Sequence, residues 1–369
     1  MLYGGDWMRK KVPPVWICAV LLLFALIWRM IGAPVNAEQF QNLKIPFRQA
    51  AIQLPGRSAR IWLNWFRYQQ EEVQTMDQEV ENEKPDDAEA VWLNVYIAQE
   101  KKLARMTLQG YVCGVVAQEM PAAYHLEALK AQAVAARTRA VAQMLEGGCS
   151  RYPGADICTD SAHCQGYATL AHCKEKWGES YSLYRDRILT AERETRGEII
   201  TFEGKPITVF YHAISGGSTE DAHTVFSQEL PYLLSVKSPG EEKTRGFEQE
   251  VILSYEEAAR KLSQYTSKEI TAQEVRRSLS IVSYTPSGRV EQIQVGEHQM
   301  AATVLREILN LRSTRFSISM DEDGIHFHQQ GYGHGVGMSQ AGANAMASDG
   351  KTYHEILLHY YTGVELTKE

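Results

Sequence analysis

The chain has 369 residues, 44% hydrophobic and 22% charged, an ordinary globular composition long enough for two domains or one large elaborated one. Its net charge of -7 and pI near 5.9 exclude a broad electrostatic grip on nucleic acid or on an anionic membrane face. Recognition is expected to be local and directional.

Three cations, Arg9, Lys10 and Lys11, precede an uncharged run from Val12 to Trp28. That order predicts a membrane anchor over residues 12–32, with residues 1–11 cytoplasmic and the rest outside. The run is short for a span, and snorkelling by Arg29 with the apolar residues Met30 to Val35 extends it. Val35-Asn36-Ala37 resembles a small-residue cleavage site, but Trp28, Arg29 and the length of the run fit an uncleaved anchor better. Residues 33–89 read as a stalk or linker. An amphipathic piece from Arg60 to Gln70 carries Trp62, Trp65 and Phe66, and the acidic tract after it has too little apolar surface for a core.

From Val91 onward, strands and helices intersperse without a regular βαβ repeat, which predicts an α+β fold: a membrane-anchored main domain over residues 90–365 with a smaller inserted α/β subdomain. VWLNVYIA and TLQGYVCGVVAQ read as apolar strands. A long helix is expected to start near Pro121, since proline suits the first helical position, and to run to Leu145 before Gly147-Gly148. Glu119 then stands at the mouth of that helix, with Lys130 and Arg137 two turns apart on one face, so a carboxylate and two cations can converge on one groove. Each also has a plainer reading: Glu119 as a capping carboxylate, Lys130 paired with Glu127, Arg137 on a solvated face. Burial would raise the Glu119 pKa, as a general acid needs, whereas the N-terminal helix dipole and the cations would lower it.

Of six cysteines, Cys18 lies in the apolar run and Cys113 in the expected strand before Glu119. Cys149, Cys158, Cys164 and Cys173 lie close together, with His163 and His172 beside two of them. Outside the membrane two disulfides are one reading. A closed tetrahedral zinc site is the other, and spacing leaves both open.

Arg187 to Ile214 reads as strands joined by a turn at Gly204, leading into a Gly-Gly loop crowded with Tyr211, His212, Ser215, Ser218, Thr219 and Glu220. These are substrate-positioning candidates; the nucleophile elbow fails because Ala213 stands where its first glycine belongs. Two helical periods, residues 254–265 and 271–280, a hairpin about Ser287-Gly288 and a helix over 301–310 mark a small subdomain near residues 248–318. Gly331 to Ala347 places glycine at every second position around His334, which lets backbone approach another chain or a ligand closely. Val336 breaks a dinucleotide frame and Ala345 a phosphate loop. His326, His328 and His334 invite a metal reading, yet no H-E-x-x-H accompanies them, so core or supporting roles are expected.

Taken together, GVVAQEMPAAYHLEALKAQAVAARTRA, TDSAHCQGY, YHAISGGSTEDA and GYGHGVGMSQAGANAMA resemble, in order, blocks of the stage II sporulation protein D family. The family contains membrane-anchored peptidoglycan lytic transglycosylases of endospore formers and proteins described as amidase enhancers. The resemblance implies Glu119 as the catalytic acid and base. It implies Lys130, Arg137, Tyr211 and Ser215 as substrate-binding residues, to which His334 is added as a candidate. It implies a structural zinc on Cys158, His163 and Cys164, with Cys149 chosen as the fourth ligand. Arg139 departs from relatives that commonly carry tyrosine there. The implied reaction cleaves the MurNAc-GlcNAc bond of peptide-stripped glycan strands, leaving 1,6-anhydro-MurNAc ends, during engulfment. The implied partners are stage II sporulation proteins P, an amidase, and M, at the mother-cell membrane facing the forespore. The rival class is a non-catalytic glycan-binding scaffold that enhances an amidase.

Overall fold

The computed structural model describes residues 90–368. The expected cytoplasmic segment, anchor and stalk lie outside the described residues, among which no helix is long and apolar enough to cross a membrane.

β1 (Trp92–Ile97) and β2 (Lys102–Thr107) form an antiparallel hairpin, and β3 (Ile157–Cys158) adds to β1 in parallel. Thr107 closes the hairpin and caps α1 (Leu108–Glu119), its hydroxyl accepting from Gly110 N–H. α1 is the segment read above as a strand. Its residues from Tyr111 to Ala117 are buried on every side, so no polar face marks the helical period and the valines imitate a strand. The long helix also starts later than expected. Pro121 to His125 form a turn in which Tyr124 N–H donates to Pro121 O, and His125 Nδ1 caps α2 (Leu126–Leu145) by accepting from Glu127 N–H.

α3 (Leu170–Trp177) and α4 (Tyr181–Glu194) follow, and Arg187 to Glu194, expected to open a strand, instead ends α4. The hairpin about Gly204 is present as β4 (Glu198–Phe202) and β5 (Lys205–Pro206), with β14 (Glu365–Lys368) on the other edge of β4. β6 (Tyr211–His212) pairs in parallel with β13 (Met338–Ser339), which sets the two glycine-rich segments side by side. α5 (Ala222–Phe226) leaves that pair, and α9 (Gln340–Ser348) and α10 (Tyr353–Tyr360) return against α2. α2 is the axis of the main core: its alanines let α1, α4, β4, α9 and α10 approach its backbone.

A second core is built by β7 (Glu248–Leu253), α6 (Tyr255–Thr266), α7 (Ala272–Ser278), β8 (Ser280–Tyr284), β9 (Val290–Val295), β10 (His298–Ala301), α8 (Ala302–Leu309), β11 (Phe316–Met320) and β12 (Ile325–Gln330). α6, α7 and α8 fall where periodicity puts them, and the Ser254 and Thr271 hydroxyls cap the first two. Two antiparallel sheets, β10-β9-β8 and β11-β12-β7, flank these helices. Because β12 lies between β11 and β7, this core runs to Phe327, past the expected edge at 318.

Gly114, inside α1, gives room to the ring of Tyr167: an added Cβ would meet that ring at 2.1 to 2.6 Å. Gly114→Ala is therefore expected to destabilise the fold by about 1–3 kcal/mol, read as a lower urea midpoint at unchanged slope. An unchanged midpoint would mean that Tyr167 is not packed there.

Candidate active site

Glu119 is the last residue of α1, with Met120 as its C-cap. The negative end of a helix dipole therefore faces the carboxylate, the reverse of what a residue at the mouth of α2 would feel. Glu119 Oε1 accepts from Gly166 N–H at 2.6 Å. Burial pushes its pKa up, opposed by that hydrogen bond and by the Lys176 ammonium. Lys176 is held on Ala117 O at 3.2 Å. Gly166 is small for a reason, since a Cβ there would lie 2.7 Å from Glu119 Oε1.

Tyr211 comes to the same place from β6. Its hydroxyl donates to Gln165 Oε1 at 2.9 Å, and Gln165 Nε2 donates to Tyr111 OH and Ala136 O, both at 3.3 Å. Burial drives the Tyr211 pKa well above the usual phenol range and the nearby charge of Glu119 adds to this, so Tyr211 stays a protonated donor. His334 supports it from β13's side: its Nδ1 accepts from Val336 N–H at 3.1 Å and its ring bonds the Tyr211 backbone. Burial, with Arg306 and Arg289 nearby, lowers the His334 pKa to about 4 and keeps the ring neutral against Phe210 and Phe226. His212 is held neutral by burial as well, its Nδ1 donating to Val336 O at 3.1 Å.

The other expected site residues are engaged with protein. Ser215 is fully buried, and its N–H and Oγ–H both donate to Glu241. Lys130 bridges Glu127 and Glu194 at 2.7 Å each. Arg137 is 2% exposed, with its guanidinium on Thr195 O, Glu198 O and Glu192 Oε1 at 2.8, 3.0 and 3.3 Å. Both cations do sit on α2, but they close its seam with α4 and β4, and the cation set against Glu119 is Lys176. Periodicity along α2 is blind to the partners that α4 brings. Gln165, Gly166 and Lys176 were not singled out above; the one signal for the first two is that they directly follow Cys164 within TDSAHCQGY.

Cys149, Cys158, His163 and Cys164 place their ligand atoms within 4.8 Å of one another. His163 Nδ1 lies 3.5, 3.5 and 3.2 Å from the sulfurs of Cys149, Cys158 and Cys164. Zinc bonds of about 2.3 Å to sulfur and about 2.0 Å to nitrogen set such atoms about 3.5 Å apart in a tetrahedron, so the donor set fits that metal. Ser150 Oγ stands 3.1 Å from His163 Nε2, where it holds the ring with Nδ1 toward the thiols. Cys173 is buried in the main core.

Residues 96–202 match the family model described as "Stage II sporulation protein", and residues 216–337 match a domain of unknown function. Stage II sporulation protein D of Bacillus amyloliquefaciens is 35% identical over 274 residues, covering 74% of this chain and 78% of that protein. The same protein of Bacillus subtilis is 34% identical over 292 residues, 76% and 80% of the two chains. The amidase enhancer of Bacillus subtilis is 27% identical over 302 residues, 69% of this chain and 40% of that protein. These matches place the chain among the stage II sporulation proteins. Within that class it belongs to the stage II sporulation protein D family.

Because burial raises the Glu119 pKa, the folded state prefers the protonated carboxyl, and stability is lost as pH rises from the unfolded value of 4.5 through the folded one. Glu119→Gln keeps an acceptor for Gly166 N–H and mimics the protonated form. It is expected to raise the thermal midpoint at neutral pH, with the gain vanishing below 4.5. A destabilising Glu119→Gln at neutral pH would show that the carboxylate is instead favoured by its surroundings.

Proposed function

We propose that the chain is a peptidoglycan lytic transglycosylase acting on glycan strands already stripped of stem peptides. The observation that carries this reading is Glu119, a partly buried carboxyl with a raised pKa whose acceptor oxygen is aimed by a single backbone N–H among the described residues. Protonated Glu119 gives its proton to the glycosidic oxygen as the bond from the MurNAc anomeric carbon breaks. The resulting carboxylate takes the proton of the same sugar's 6-hydroxyl as that oxygen attacks the anomeric carbon. The 1,6-anhydro ring closes and Glu119 is protonated again. One carboxyl suffices because the sugar's own hydroxyl replaces the water or second carboxylate of ordinary glycosidases.

Tyr211, neutral beside Glu119, gives its one O–H to Gln165 Oε1 and so orients the Gln165-Gly166 loop. Ser215, His334, Lys130 and Arg137 act as supports of the loop and helix that form the site, since each is committed to protein partners. Cys149, Cys158, His163 and Cys164 would hold a structural zinc, which with four protein ligands has no open position for water. Cys164 directly precedes Gln165 and Gly166, so this cluster anchors the loop that aims the Gly166 N–H. Cooperation with the stage II sporulation proteins P and M, and a place at the engulfing mother-cell membrane, belong to the same proposal and rest on the family.

The match to an amidase enhancer favours a second reading, a glycan-binding scaffold without cutting activity. Mass spectrometry of products from peptide-stripped and intact strands separates the two. Anhydro-ended fragments from stripped strands with the wild type, and none with Glu119→Gln, are expected. A folded wild-type chain that binds strands but releases no fragments would establish the scaffold instead.

For the metal, about one zinc per chain is expected, with a lower thermal midpoint after chelation and loss of zinc in Cys164→Ser. A metal-free chain with an unchanged midpoint would remove zinc from the account.

A further inference from the structure

The second core carries a polar groove that the reaction above does not use. Sheet register sets Gln330 opposite Glu248 and His328 opposite both Glu250 and Ser317, so these side chains share the sheet's outer face. Residues from this face, together with Tyr284, Gly288 and Arg315, line a cavity of about 560 Å³. Within it, Gln330 Nε2 donates to Glu248 Oε1 at 3.1 Å, and Arg315 donates to Gln330 Oε1 at 3.3 Å and to Ser287 O at 2.8 Å. Tyr284 is 57% exposed at the groove.

We infer that this groove is a second saccharide-binding site, holding a stretch of glycan away from Glu119. Its size falls in the range of small-ligand sites, roughly 300–1,000 Å³. Planar carboxylate, amide, guanidinium and imidazole groups offer donors and acceptors together, as a ring of hydroxyls and an acetamido group requires. Two carboxylates beside one guanidinium disfavour a polyanion, and the polar walls disfavour an apolar peptide. The exposed Tyr284 ring supplies an apolar face for the C–H face of a pyranose. The groove is braced by the loop that follows β6. A Cβ on Gly216 would lie 2.8 Å from Arg315 Cδ and 3.0 Å from Gln330 O, so the groove's wall rests on the backbone next to Ser215. From the same domain Arg289 donates to Ser215 O.

The inference rests on the chain handling glycan, and not on its cutting glycan. The test is retention of the full-length chain on peptide-stripped and intact glycan strands, measured for Glu119→Gln, which removes turnover. The same measurement is made with Tyr284→Ala or Ser317→Trp added, and anhydro products of the wild type are assayed in parallel. Both added substitutions are at exposed positions, and thermal midpoints check the fold. Losing the ring face or filling the groove is expected to weaken retention on stripped strands about three- to tenfold. Unchanged retention by both variants, with strands still bound and anhydro products still made, overturns the second site and leaves the transglycosylase standing. Weakened retention without anhydro products supports the second site and removes the transglycosylase. An effect on peptide-bearing strands alone would make the occupant a stem peptide and overturn the saccharide reading.

Discussion

A carboxylate with no access to water holds the two glycine-rich segments in register. Glu241 is 0% exposed and accepts from Ser215 N–H and Oγ–H, Gly217 N–H, Ser238 Oγ–H and Ser339 Oγ–H. Burying a lone carboxylate costs several kcal/mol, and a full set of donors is what offsets it. The donors come from the loop after β6, from Ser238, and from the N-cap of α9, so one side chain ties all three together. β6 lies beside β13 under the same constraint, which sets Tyr211 opposite Met338 and so fixes where the phenol emerges. Arg289 extends the constraint to the second core. Its buried guanidinium donates to Ser215 O on one side and to the Ser313 and Thr314 hydroxyls on the other.

What the sequence makes legible follows from which forces are local. Ser254, Thr271 and the Ser287-Gly288 turn act within a few residues, and the second core's elements fall where they point. The Cys/His cluster is legible for a similar reason, since Cys158, His163 and Cys164 are neighbours in the chain and only Cys149 must be brought in. α1 is not legible, because a helix buried on all sides carries no periodic mark. That one misreading moves the start of the next helix to Pro121 and turns Glu119 from the C-terminal residue of α1 into an N-terminal neighbour of α2, which inverts the sign of the dipole acting on it. Lys130 and Arg137 show the other limit. Their shared face on α2 follows from spacing, yet their partners Glu194 and Glu192 belong to α4, whose helical period was hidden beside the strand-like stretch that follows it.

Glu119, partly buried, and Glu241, fully buried, illustrate opposite settings for a carboxylate in one fold. Glu241 is saturated with donors from three directions and serves as a structural anchor. Glu119 lies at the negative end of a helix, pressed by burial toward its protonated form, with one backbone N–H and the Lys176 charge to oppose that. Such a placement lowers stability, since a neutral side chain of the same shape would avoid the desolvation and the dipole. A surface that only held glycan would have no use for this arrangement, because hydroxyls are bound as well by an amide as by a carboxyl. On the proposed reading of Glu119 as proton donor and acceptor it would have a use, since burial raises the pKa of the group that must give up a proton and take one back. If Glu119→Gln proves stabilising at neutral pH, the cost carried by the carboxyl supports a chemical role at this position independently of the resemblance between chains.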